Sequence, residues 1–278
     1  MCELLGMSAN VPTDIVFSFT GLMQRGGSTG PHRDGWGIGF YEGKGIRLFR
    51  DPEASARSRV AELIQSYPIK STNVIGHIRQ ANVGEINLAN THPFIREMWG
   101  ENWCFAHNGQ LTGATPEQLL AENGVSRPVS ALYQPVGTTD SEASFCHLLN
   151  QLRLRFDQPP GINALLPELV ACCERFRQLG VFNCLLSNGD WLFSYCSSKL
   201  AHITRRAPFG AATLKDADVT VDFHAETTPN DIVTVIATEP LTSNESWQLY
   251  APGEWRLWKN GETLAEGNST GSTFHQVQ

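Results

Sequence analysis

A cysteine at position 2 stands one residue from the chain start, and that placement has a chemistry of its own. Initiator methionine is generally removed when the next residue is small. Loss of Met1 leaves Cys2 with a thiol and a free α-amine on one residue. Their ordinary pKa values, ~8.5 and ~7.7–8.0, suit proton transfer at neutral pH. The amine can then act as general base without a histidine, directly or through one water. The bland reading is a cysteine without a role, since a lone cysteine is usually structural. A second candidate is Phe105-Ala106-His107-Asn108-Gly109-Gln110. The Asn108 amide beside Gly109 can aim two N–H donors at one point, which suits a developing oxyanion, and glycine admits close backbone approach. Asn-Gly is also the commonest turn dipeptide, and alone it reads as a turn. Arg79, ending Gly76-His77-Ile78-Arg79, can clamp a carboxylate through two parallel hydrogen bonds or sit in a surface ion pair. Asp140, within Gly137-Thr138-Thr139-Asp140-Ser141-Glu142, can receive an ammonium group or merely cap a helix.

These residues need elements to hold them, and the patterning predicts alternating strands and helices without internal repeats. Residues 2–8 read as a strand and 13–24 as a short helix, with Pro12 suited to its start. Two strands, 35–42 and 45–50, flank a hairpin at Glu42-Gly43-Lys44-Gly45. A helix follows at 53–66, then strands at 73–79 and 102–107. The stretch 124–138 contains two prolines and reads as loop. Residues 139–154 form a helix capped by Thr139 or Asp140, and 161–178 form another. Strands recur at 181–187, 191–197, 199–205, 231–238, 246–250 and 254–259, with turns at Asn188-Gly189-Asp190 and Lys259-Asn260-Gly261. The organisation expected is one α+β domain over 1–266, with two sheets and helices outside them, and a loosely held polar tail over 267–278.

The composition narrows the function class. The chain has 278 residues, 41% of them hydrophobic, enough for a sizeable core. Its net charge of −7 and the absence of any basic cluster longer than Arg205-Arg206 argue against a nucleic-acid surface. No run approaches the ~18 apolar residues of a membrane span, and the first residues lack the pattern of a signal peptide. A cytoplasmic location is expected, with no membrane partner. The seven cysteines lack any C-x-x-C pair, so no metal site is expected.

Taken in order, Met1-Cys2, Arg79, Asn90-Thr91-His92-Pro93-Phe94, His107-Asn108-Gly109 and Thr139-Asp140-Ser141-Glu142 resemble the class II glutamine amidotransferases, which are N-terminal-nucleophile (Ntn) hydrolases. The stretches His32-Arg33-Asp34-Gly35-Trp36-Gly37-Ile38-Gly39 and Ala237-Thr238-Glu239-Pro240-Leu241 are similar to the stand-alone bacterial members. The resemblance implies a four-layer αββα sandwich of two antiparallel sheets. It also implies roles: Cys2 attacks the side-chain amide of glutamine, and Asn108 and Gly109 hold the oxyanion. Arg79 grips the substrate α-carboxylate and Asp140 its α-ammonium. His92 matches a histidine near the family's active site and is expected to orient more than to react; Trp36 and Gly37 are expected to be framework. Ammonia leaves, and water resolves a γ-glutamyl thioester to glutamate, with no cofactor. After Arg79 the sequence reads Gln80-Ala81-Asn82-Val83, where several synthetase-linked members carry Trp, Thr and His, so the pocket rim is expected to differ. No second catalytic domain is expected after the glutaminase fold. The substrate is then glutamine or another γ-glutamyl amide, with a separate synthetase as candidate ammonia acceptor. The alternatives are a dedicated hydrolase of a larger γ-glutamyl conjugate, like the family member in ergothioneine synthesis, and a non-catalytic regulatory module.

Overall fold

Two neighbouring leucines near the chain start show how the layers are stacked. In β1 (Glu3–Asp14), Leu4 packs with Ile75, Cys104, Ala106, Leu185, Ile236 and Trp258, while Leu5 packs on the opposite face with Phe19, Leu22, Trp36 and Ile38. Successive strand residues point to opposite faces, so a strand buried on both faces reads as a continuous apolar run. The computed structural model describes residues 2–82, 84–115, 118, 132–226, 228–271 and 273–276.

One seven-stranded sheet has the order β13-β9-β12-β1-β4-β2-β3. Its members besides β1 are β2 (Trp36–Glu42), β3 (Gly45–Asp51), β4 (Lys70–Ile78), β9 (Ala201–Arg206), β12 (Ile232–Ala237) and β13 (Gln248–Leu249). The second, also of seven strands, has the order β16-β15-β14-β8-β7-β6-β5. It contains β5 (Phe94–Met98), β6 (Glu101–Leu111), β7 (Gly180–Ser187), β8 (Leu192–Tyr195), β14 (Glu254–Lys259), β15 (Glu262–Asn268) and β16 (Thr273–Gln276). Every pairing within both sheets is antiparallel. Helices α1 (Val16–Arg25) and α2 (Arg59–Ser66) cover the first sheet, with Phe19, Leu22 and Ile64 in its outer core. Helices α3 (Asp140–Arg155) and α4 (Ile162–Leu179) cover the second, where Phe145, Leu149, Leu169 and Phe176 meet Phe105, Phe182 and Phe193. The fold is therefore the four-layer αββα sandwich.

Several local expectations change. Pro12 lies inside β1 rather than at a helix start; the β1–β4 ladder shifts register between Ser8 and Thr13, so its missing N–H costs no pairing. Helix α1 begins later, and Asp14 accepts from the Val16 N–H at 2.7 Å. The helix expected over 53–66 is broken into a 3₁₀ turn (Ser55–Arg57) and α2, because Ser58 is extended and its hydroxyl accepts from Ala61 N. Strands β5, β15 and β16 and the β10–β11 hairpin (Ala211–Thr213, Thr220–Asp222) were not legible as strands. Within the polar stretch after Gly267, Thr273–Gln276 pairs with β15 as an edge strand. Of the expected loop 124–138, residues 124–131 lie outside the described residues, and 132–138 are neither helix nor strand. No helix among the described residues is long and apolar enough to cross a membrane.

Candidate active site

The inner faces of the two sheets meet at one end around the sulfur of Cys2. Cys2 precedes β1 by one residue and shares the inward face of Leu4. The backbone N–H of Gln80 donates to Cys2 Sγ at 3.3 Å. Burial raises the Cys2 thiol above its ordinary pKa; that N–H and the nearby Arg79 oppose the rise. Cys2, Arg79, His92, Gly109 and Asp140 line a single cleft with about 30 Å³ of free volume. That is room for a water or two. Five of the six residues singled out from the sequence thus converge from segments up to 138 positions apart.

Asn108 is the sixth, and it does not line the cleft. Asn-Gly is no turn here: Asn108 and Gly109 lie within β6, opposite Asn183 and Phe182. The glycine is sterically required, because a Cβ at position 109 falls 1.8 Å from Val181 O. Asn108 is fully buried; its Nδ2 lies 3.2 Å from Thr238 Oγ1 and its Oδ1 has no hydrogen-bond partner. Its carbonyl accepts from Asn183 Nδ2 at 2.9 Å, which holds the backbone in place.

Arg79 is buried rather than placed in a surface ion pair, and it donates through Nη1 to Glu85 O at 3.0 Å. Burial lowers its pKa, with Cys2 and Asp34 acting in the other direction. The loop before β2 fastens this segment, since Arg79 N donates to Gly35 O (2.8 Å) and Ala81 N to Asp34 Oδ2 (2.7 Å). Across the cleft, Thr139 is the cap of α3, accepting from Glu142 N at 3.2 Å. Asp140 has a different task in the fold: Oδ2 accepts from Leu111 N at 2.7 Å, which ties the start of α3 to the end of β6.

Three histidines pack beside the cleft without charge. His107 Nε2 faces Val181 O at 3.1 Å; a carbonyl only accepts, so Nε2 carries the proton and Nδ1 accepts from Ser141 Oγ at 2.8 Å. His77 likewise donates from Nε2 to His107 O at 3.1 Å. The His92 ring packs at a tilt, with its centroid 4.1 Å from that of His77 and 4.4 Å from that of Phe94, and neither of its ring nitrogens has a partner. Burial lowers all three pKa values, His77 to about 3. Neutral rings held this way pack against the cleft wall.

Asp34, His107, Ser141 and Thr238 were not assigned roles from the sequence. Nor was the pair behind the nucleophile, in which Arg25 of α1 donates to Glu3 at 3.0 Å and to Pro240 O at 2.8 Å. This anchors the residue after Cys2 to the segment after β12. Their partners are far off in the chain, so spacing carries no signal for them. Cavity size is no guide either: a larger cavity of about 390 Å³, between α1 and the β10–β11 hairpin, has no cysteine or histidine in its lining. Among the described residues no group of His, Cys, Asp or Glu could hold a metal ion.

The family model for class-II glutamine amidotransferases matches residues 1–277. The chain is 60% identical over 265 residues to YafJ of Escherichia coli (strain K12), itself named only provisionally as a glutamine amidotransferase, covering 95% of this chain and all of that one. A crystal structure of a predicted glutamine amidotransferase from Pseudomonas aeruginosa PA01 is similar at 62% identity and TM-score 0.74, over 95% of this chain and 100% of that one. The glutamine phosphoribosylpyrophosphate amidotransferase from B. subtilis shares the fold at 16% identity and TM-score 0.61; the match covers 98% of this chain and 50% of that one.

Proposed function

Since the chain belongs to the class II glutamine amidotransferases, we propose that it hydrolyses the side-chain amide of glutamine through a Cys2 thioester, releasing ammonia and glutamate. The observation that carries this reading is the convergence of Cys2, Arg79, Gly109 and Asp140 on one cleft.

In this reading Met1 is removed and the Cys2 α-amine becomes the base. A buried thiol with a raised pKa has little thiolate at pH 7, so a base at the same residue meets a need that burial creates. The amine takes the thiol proton as sulfur adds to the amide carbon. The C–N bond then breaks, the proton passes to the departing nitrogen, and a γ-glutamyl thioester remains. Water adds to the thioester, the C–S bond breaks, and the thiol is restored. The oxyanion of each addition meets Asn108 Nδ2 and the Gly109 N–H, and one such donor is typically worth ~10²–10³ in rate. Arg79 has five N–H donors and Asp140 four lone-pair sites, so both keep capacity for the α-carboxylate and α-ammonium of an amino acid. Holding both ends fixes the amide carbon over sulfur. An amino acid exceeds the free volume of the cleft, so its walls must move apart for entry.

The same machinery serves a bulkier γ-glutamyl conjugate, and the Gln80-Ala81-Asn82 rim is where the two substrate classes diverge. Steady-state rates on glutamine and on γ-glutamyl anilides, with and without a candidate synthetase, separate them. A subunit feeding a synthetase gains glutaminase activity with its partner; a dedicated hydrolase is fully active alone and favours the larger amide. A non-catalytic module would show neither activity.

A further inference from the structure

We propose that Thr238 is the positioning residue of the oxyanion donor: its hydroxyl donates to Asn108 Oδ1 and thereby turns Asn108 Nδ2 toward the reacting amide. The proposal rests on the glutaminase reading above and adds to it a residue outside the cleft wall.

Thr238 sits one residue past the end of β12. It is locked to β1 at two points, with Thr238 N donating to Leu4 O at 3.2 Å and Leu4 N donating to Thr238 Oγ1 at 2.9 Å. Leu4 is two residues from Cys2 on the same inward face. Thr238 Oγ1 then meets the Asn108 side-chain amide at 3.2 Å, so one hydroxyl spans the nucleophile strand and the oxyanion strand.

Counting donors, together with the need for an oxyanion donor, points to one direction for that contact. With Nδ2 facing Thr238, the hydroxyl oxygen receives two N–H groups, its own proton has no acceptor among the described residues, and Asn108 Oδ1 has no partner. Asn108 is fully buried, so no bulk water makes good the loss. Exchanging the amide O and N, which have nearly the same shape, gives Oδ1 and the Thr238 proton their partners and leaves the two Nδ2 N–H groups unpaired within the protein, a need that an oxyanion meets. Leu4 N still donates to Oγ1, the Thr238 proton goes to Oδ1, and Nδ2 is released from the contact. No protein group competes for its two N–H donors, which are then free for an oxyanion.

The test compares T238V, which keeps the shape and removes both the donor to Asn108 and the acceptor for Leu4 N, with T238S, which keeps the hydroxyl. For T238V we expect kcat to fall about 10–100-fold with KM within about twofold, below the ~10²–10³ of a donor lost outright. T238S should restore kcat to within about threefold. A residue that only ties β12 to β1 would lower the melting temperature and leave kcat of the folded variant unchanged; that result, or a T238S as slow as T238V, overturns the proposal. A second readout is independent of turnover. In wild-type protein carrying ¹⁵N-asparagine, both Asn108 amide protons should lack strong nuclear Overhauser contacts to the Thr238 methyl and β protons. Strong contacts there place Nδ2 against Thr238 and refute the assignment. If wild-type protein and C2A are equally inert toward γ-glutamyl amides, the glutaminase reading fails, and the amide-proton contacts alone decide the orientation.

Discussion

The Gln80 backbone N–H donates to the Cys2 sulfur at 3.3 Å, so the residue after the guanidinium-bearing Arg79 also holds the candidate nucleophile. In the proposed reaction the carboxylate clamp and the group that holds the thiol are therefore adjacent residues of one backbone.

Asp140 and Thr139 separate cleanly by substitution. Asp140→Asn keeps an acceptor for Leu111 N but removes the charge for an α-ammonium. KM for glutamine should rise at least about tenfold, in line with the ~1.5–3 kcal/mol of a charged hydrogen bond. Thr139→Ala removes the helix cap and should cost about 1 kcal/mol of stability with KM little changed. Steady-state kinetics beside thermal melts check both; an unchanged KM in Asp140→Asn would remove Asp140 from substrate binding.

Arg79→Lys tests the carboxylate clamp. Lysine keeps the charge but loses the planar fork, so KM should rise about 10–100-fold while turnover at saturation falls less. Glutamine analogues lacking the α-carboxylate should bind wild type and variant equally. An unchanged KM for glutamine in the variant would place the clamp elsewhere.

His202 gives a pH test away from the cleft. It packs against Trp258 at a tilt, ring centroids 4.8 Å apart, with both ring nitrogens unpartnered, and burial lowers its pKa to about 4. The unfolded chain binds a proton near the ordinary value of ~6.5 and the folded one does not. Stability from this residue is therefore full above pH 6.5 and falls as pH drops toward about 4. His202→Phe should flatten denaturation free energy against pH in that window by about 1.4 kcal/mol per pH unit. Parallel curves for wild type and variant would show that His202 takes up its proton in the folded state.

The sequence carried the sandwich only through resemblance; its own patterns located most long strands and both large helices but not their pairing. β1 is legible over residues 4–7, an apolar stretch buried on both faces, and β6 over residues 103–106 for the same reason. The edge strand β5 and the next-to-edge strand β15 bury less and mix charges into the run, as in Arg96-Glu97, which erases alternation. Asn108-Gly109 reads locally as a turn, and only the β6–β7 ladder makes it strand. Thr238 stood in a stretch picked out from the sequence, yet its partner lies 130 residues away, a distance that no local pattern bridges.

The central claim is a Cys2 nucleophile at a processed N-terminus, and one experiment meets it most directly. Purified protein is treated with a diazo-ketone analogue of glutamine, its intact mass is measured, and the adduct is mapped by peptide sequencing. The account predicts a chain lacking Met1 with one adduct, on Cys2, and no adduct in Cys2→Ala. An adduct on another residue, or glutamine turnover by a chain that keeps Met1, would contradict it.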